Sequence, residues 1–304
     1  MEEAGEEKQT NSNSSQGFIP RARLELDKYF IVIVLIWGYS WLIPVAILYQ
    51  YYNLLIQPDL HIYASVIQIF SSEKYILVFF LSPVVLIGLY LFRLFFVILF
   101  SKIAIWLCNL RSPMKELIAS KGIGKEEARD INIYHLRGMI LRILKWEISK
   151  SPFPWLVPAA FNFVNVSEIG KGTTLEDQFY TQEFLETGEN AYIGQGSIVS
   201  SHLVEGKYGA ITLKKVRIGQ NAVLGPFNPI SPGALIGDYA EFLPMSGVAK
   251  FQKVRGFSKY YGLPVARIST KRYIKMCQIP PELEFRVRDT KLLKRKVKKK
   301  KTEE

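Results

Sequence analysis

The sequence predicts two membrane-spanning α-helices followed by an all-β solenoid of short parallel strands. Three observations carry this. Two long uncharged runs fill the first third of the chain, glycines cluster after Phe161, and an apolar residue recurs every sixth position from Ile218 to Val254. At about 150 residues per domain, 304 residues suggest roughly two units. Charged residues (22%) and hydrophobic residues (49%) are ordinary for a globular chain, yet the mean hydropathy of +0.10 is high, because the apolar residues crowd between Tyr29 and Leu110.

The same composition excludes several classes of function. Two widely separated cysteines, Cys108 and Cys277, form neither a disulfide framework nor a CxxC zinc site. The histidines are His61, His135 and His202, too few for a three-histidine metal site within one module, so no metal is expected. Half of the net charge of +12 sits in the last fifteen residues, where eight Lys and Arg face two Glu, so much of the excess describes a tail. That tail has no interleaved aromatic residues, which disfavours nucleic acid as a partner. No P-loop or Rossmann fingerprint is present.

Residues 1–20 are polar and low in complexity and read as disordered, with no basic n-region or cleavage site of a signal peptide. Region 21–110 reads as a two-span transmembrane hairpin. Tyr29 to Tyr49 holds no charge across 21 residues, enough to cross a hydrocarbon core of about 30 Å as a helix. Pro44 inside it is tolerable in a span. The second span is expected at about 75–96, continuing as a helix toward the interface, with Arg93 and Lys102 snorkelling to head groups. Residues 50–74 read as a loop with an interfacial piece. Arg21, Arg23 and Lys28 precede the first span, only Lys74 lies between the spans, and Lys102, Arg111 and Lys115 follow the second. The positive-inside rule then places both termini, and all that follows the spans, in the cytoplasm.

Region 111–160 reads as a linker with an amphipathic helix. Ser112-Pro113 is a helix-start signal, and Ile131, Leu136, Ile140, Ile143 and Leu144 recur at roughly helical spacing. This helix is expected either on the membrane or capping the next domain. Region 269–304 is a basic tail whose Lys291–Lys301 cluster suits either anionic lipid or solvent.

Region 161–268 carries the repeat. Ile169-Gly170, Ile193-Gly194, Ile218-Gly219 and Ile236-Gly237 open similar phrases, and Ile218, Leu224, Ile230, Ile236, Phe242, Val248 and Val254 keep strict register. Period six fits neither an α-helix nor an isolated amphipathic strand. It fits a triangular coil of three short strands, one apolar residue per strand pointing inward, with the following small residue expected to permit each corner. About eighteen residues make one coil, so the region holds roughly six before loops are subtracted. Between Leu175 and Ile193 the step survives only as Thr181 and Thr187, a degraded pattern. Residues 201–208 read as a loop bulging from the solenoid, of the kind that lines a binding face.

These phrases resemble the hexapeptide-repeat acyltransferase superfamily, whose fold is a left-handed parallel β-helix. The order of the coils after membrane helices is similar to the membrane-linked C-terminal β-helix module of polylysine-synthetase-type peptide synthetases. Gly262-Leu-Pro-Val-Ala-Arg267-Ile268 resembles the G-x-P-A-[RK]-[KR]-I ending of such acetyltransferases, with Val265 in place of the Ala and Ala266 in place of the first basic residue. The resemblance implies a homotrimer with acetyl-CoA or another acyl-CoA as donor and a histidine base near an insertion loop. His202, the one histidine of the repeat, takes that role, and Glu205 is close enough in sequence to orient it or to meet Lys207 or solvent instead. The resemblance also implies basic residues at the coenzyme phosphates. Lys250 and Arg267 are the candidates, with Lys253, Arg255 and Lys271 nearby. The expected function is acyl transfer from coenzyme A to a hydroxyl or amine at a membrane. The alternative is a non-catalytic, membrane-anchored β-helix scaffold or trimerisation module.

Overall fold

The structure, a computed structural model, describes residues 26–56, 73–119, 125–176, 179–180, 183–205 and 210–288. The readings for residues 1–20, for most of the inter-span loop and for the basic cluster after 288 lie outside the described residues.

Helix α1 (Leu26–Tyr51) and helix α2 (Glu73–Arg111) pack side by side as an antiparallel pair. A short π-helical turn, Tyr52–Ile56, follows α1. Tyr51 pins the far end of the pair: its hydroxyl donates to the Val78 carbonyl at 3.1 Å and lies 3.2 Å from Ser82 Oγ. Both helices are long and apolar enough to cross a membrane. α2 has 39 residues, so at 1.5 Å per residue it is about 58 Å long and exceeds a bilayer core.

The two basic residues expected to snorkel do otherwise. Arg93 is buried and its Nη1 donates to Glu147 Oε2 at 2.7 Å, while its guanidinium lies 4.4 Å from the Trp41 ring centroid. A carboxylate from the next helix pairs with the guanidinium through this one bond, leaving Arg93 Nε and Glu147 Oε1 buried without a hydrogen-bond partner, so the charge is neutralised away from any head group. Lys102 lies over Phe163, 3.8 Å from the ring centroid.

Ser112 ends α2 instead of starting a helix. Its amide donates to the Cys108 carbonyl at 3.0 Å and Pro113 blocks continuation. After it comes a strand that sequence reading missed, β1 (Leu117–Ala119). The expected linker helix is α3 (Lys125–Ser149), followed by a 3-10 turn (Pro154–Leu156) and helix α4 (Val157–Val164). α3 runs against α2 and α1, and it also braces the solenoid. Arg137 Nε and Nη2 clamp the carboxylate of Glu183 at 2.7–3.1 Å, with both residues buried. Phe161 of α4 is fully buried, and the Asn162 side chain copies a strand edge by exchanging two 2.8 Å bonds with the backbone of Ile169. The solenoid therefore opens at Glu168, later than the expected 161, with α4 as its lid.

The chain then visits three parallel sheets in rotation. The first holds β2 (Glu168–Ile169), β5 (Leu185–Thr187), β10 (Val216–Ile218), β13 (Leu235–Ile236) and β15 (Lys253–Val254). The second holds β3 (Thr174–Leu175), β6 (Tyr192–Ile193), β11 (Val223–Leu224), β14 (Glu241–Phe242) and β16 (Lys259–Tyr261). The third holds β4 (Phe179–Tyr180), β7 (Ile198–Val199) and β12 (Pro229–Ile230), extended by a bridge from Ile230 to Val248. Register pairs residues eighteen apart, as Leu224 with Phe242 and Ile236 with Val254. Every sixth residue from Ile218 through Tyr260 is buried, so the predicted inward column is the core. The final strand, β17 (Ala266–Ile268), turns back antiparallel on β16 and closes the stack.

Three details differ from the sequence reading. Two faces hold five levels and the third four, fewer than the roughly six coils expected, because α4 and a hairpin consume residues. In the degraded coil the partner of Val199 is Tyr180 and not Thr181, so the spacing runs five and then seven; Thr187 does fall in register and is buried. Finally, the residue after each inward Ile is not the bend. Left-handed backbone falls three residues after the inward position instead, at Asn221, Phe227, Gly233, Tyr239, Met245, Phe251 and Phe257. The glycine of Ile-Gly serves close approach: a Cβ on Gly170 would meet the Gly188 backbone at 2.4 Å.

Candidate functional site

The bulge expected at 201–208 is an ordered antiparallel hairpin, β8 (His202–Glu205) and β9 (Ala210–Leu213), inserted between β7 and β10; its tip, 206–209, lies outside the described residues. β1 pairs with the outer edge of β9, matching Leu117 to Leu213, so the insertion is a three-stranded sheet. Glu116 holds the join through Lys214 and through the Lys215 amide at 3.0 Å.

His202 stands at the base of the hairpin, half-buried. Its amide donates to Ser200 Oγ at 3.3 Å, and Ser200 Oγ donates to its carbonyl at 2.5 Å, which pins the backbone on the first residue of β8. The ring faces α3. His135 of α3 lies 6.1 Å from it between ring centroids, and Tyr134 lies 5.8 Å away. Tyr134 is itself fixed, stacked nearly parallel on Phe184 at 6.4 Å, with its hydroxyl 3.3 Å from Ser201 Oγ. The Nδ1 of His202 is buried with no hydrogen-bond partner in the protein. Burial, then the neighbouring His135 and then Arg142, hold the His202 imidazole below its usual pKa; burial alone does the same to His135. Both rings are therefore neutral near pH 7, the form that accepts a proton.

The other expected residues are arranged differently. Glu205 does not orient His202. Three positions on in an extended strand its side chain leaves from the opposite face, and its Oε2 takes Lys250 Nζ at 2.8 Å. The expected catalytic carboxylate and one expected coenzyme-phosphate cation are thus joined to each other. Arg267 stands exposed on β17, next to the closing turn at Gly262. Among the described residues no group of three His, Cys, Asp or Glu side chains could hold a metal ion.

Sequence reading missed His135, Tyr134 and Ser201. His135 lies 67 positions from His202 on an element of a different period, and no linear motif links them. The one available signal was scarcity, since only three histidines exist in the chain.

No protein-family model and no curated protein matches the chain. Solved structures to which it is similar include a hexapeptide-repeat-containing acetyltransferase from Vibrio cholerae, at 16% identity and a TM-score of 0.39, covering 45% of this chain and 91% of that one. A galactoside acetyltransferase in complex with coenzyme A is similar at 16% identity and a TM-score of 0.35, covering 45% and 81%. A serine acetyltransferase from Neisseria gonorrhoeae is similar at 16% identity and a TM-score of 0.32, covering 59% and 70%. The parallel register of β2 to β16 stands on the hydrogen bonds described above, independently of these likenesses.

Proposed function

We propose that this chain is a membrane-anchored acyltransferase of the hexapeptide-repeat type, with a left-handed coil, a homotrimeric assembly and an acyl-CoA donor. α1 and α2 cross the bilayer, and the solenoid and both termini lie on its cytoplasmic side. The observation that carries the reading is His202, a pinned, neutral imidazole at the base of the one hairpin that interrupts the described coils. In this reading an acceptor hydroxyl or amine attacks the thioester carbonyl carbon. A C–O or C–N bond forms, the C–S bond breaks, and His202 takes the proton of the attacking group and returns it to the leaving thiolate. No covalent enzyme intermediate is required. His135 and Tyr134 act as positioning residues that keep the imidazole desolvated and neutral. In this reading the exposed Arg267 meets the coenzyme phosphates, whereas Lys250 takes part only by exchanging Glu205 for a phosphate. Coenzyme A is the molecule bound in the galactoside acetyltransferase named above, and acetyl-CoA is the donor to test first.

The second reading is an anchored scaffold. The Glu205–Lys250 ion pair favours it, since two expected functional groups neutralise each other. Thiol release from acetyl-CoA and longer acyl-CoAs, with detergent-purified protein and a membrane lipid extract as acceptor pool, separates the two. The acyltransferase reading expects release by the wild type and none by His202→Ala. No release by the wild type with any donor puts the scaffold in front.

A further inference from the structure

A cavity of about 960 Å³ lies between α1, α2 and α3 and includes none of the residues around His202. Its walls are apolar, with Leu35 and Ile36 on α1, Leu107 on α2 and Leu136 on α3. Three cations, Lys28, Arg111 and Arg129, also line it, and no acidic side chain does. Asn132 adds a buried side-chain oxygen with no hydrogen-bond partner in the protein. Such a combination of long apolar walls, one-signed charge and a lone acceptor suits an amphiphile and not a polar metabolite.

We propose that this cavity binds one anionic glycerophospholipid of the surrounding bilayer. An acyl chain lies along the apolar walls, the phosphate sits among Lys28, Arg111 and Arg129, and a headgroup hydroxyl donates to Asn132 Oδ1. The site goes beyond acyl transfer, but it rests on the reading that α1 and α2 cross a bilayer. All three cations belong to the helix ends that the charge count places on the cytoplasmic side, or to α3 beside them.

Native mass spectrometry of the full-length protein in nonionic detergent, titrated with dioleoylphosphatidylglycerol or dioleoylphosphatidylcholine, tests it. The expected result is one retained phosphatidylglycerol per chain and clear preference over phosphatidylcholine. Arg111→Gln and Arg129→Gln, both at exposed positions, should each weaken binding about fivefold, the effect of roughly one lipid-facing basic residue. Leu136→Trp, which fills the cavity with the cations intact, should weaken it too. A full-length variant with Lys298, Lys299, Lys300 and Lys301 changed to Gln should bind like the wild type. Equal retention of phosphatidylcholine, unchanged binding by both arginine variants, or loss confined to the tail variant would overturn the site. Carbonate washing of the source membranes distinguishes the two ideas. Protein that stays in the pellet yet retains no phosphatidylglycerol overturns the lipid site alone, and protein released by carbonate overturns the bilayer reading with it.

Discussion

His202 and His135 face each other from a strand and a helix, and burial makes the charged form of either ring costly. Two pH effects follow. In the proposed turnover, with His202 as base, the acid limb of the kcat/KM profile should fall below the usual imidazole value of about 6.5. Because the His135 charge depresses His202, His135→Gln should move that limb upward, whereas a merely structural role would lower the rate at every pH alike. In stability, the folded pKa values are depressed, so the unfolded chain takes up protons first on acidification. Stability from this pair is present above about pH 6.5 and is lost as pH falls through the folded values. Thermal melts should show Tm steady from pH 8 to 7 and declining below, and the double variant His135→Gln, His202→Gln should flatten that decline. A second residue-scale prediction concerns Arg137, which serves Glu183 through two nitrogens and also donates to the Ser112 carbonyl at 2.7 Å. Arg137→Ala strands a buried carboxylate and should cost about 3–5 kcal/mol in denaturant titration. Pairing it with Glu183→Leu should recover part of the loss, because the uncompensated charge is then gone.

At the scale of elements, α3 is the strut between the helical pair and the solenoid. Arg137 ties it to the corner before β5, and Glu147 ties it to Arg93 in α2. The solenoid's own stability depends on how corners stack. Phe251 sits in left-handed backbone one coil above Gly233, and a Cβ on Gly233 would meet the Phe251 ring at 2.4 Å. With a φ of +73° at Gly233 as well, Gly233→Ala should destabilise the coil by about 1–3 kcal/mol or more in thermal melts. Little change would mean that the Phe251 ring swings aside at no cost. These elements also show what was legible beforehand. The inward column was read correctly because burial in a coil of three equal sides imposes one exact period on the sequence. The corner geometry was misassigned, because Ile-Gly is the visible phrase while the left-handed position is filled by Asn, Phe, Tyr or Met more often than by Gly. β1 was invisible because three residues carry no measurable period, and it forms only by pairing with β9. His202 could be singled out from its place in an insertion, but the pairing with His135 is tertiary. Glu205 was misread for a plain reason, since alternation along a strand sends positions 202 and 205 to opposite faces.

For the molecule as a whole, the helical pair, the strut and the coil hold the His202 imidazole, the proposed base, in a fixed relation to the two helices proposed to cross a bilayer. Many apolar side chains of α1 and α2 are exposed, among them Phe30, Leu42, Phe80 and Leu110, as membrane helices require and a soluble core does not. Carbonate-resistant sedimentation with the membrane fraction is the expected behaviour. Acyl transfer through a coenzyme A thioester, with His202 as base, is the central claim, and one calorimetric experiment bears on it directly: acetyl-CoA titrated into detergent-purified wild type and His202→Ala, with turnover followed on the same preparations. The account predicts saturable binding by both proteins and turnover by the wild type alone. Absence of binding by either protein at millimolar acetyl-CoA and longer acyl-CoAs, or full turnover by His202→Ala, would contradict it.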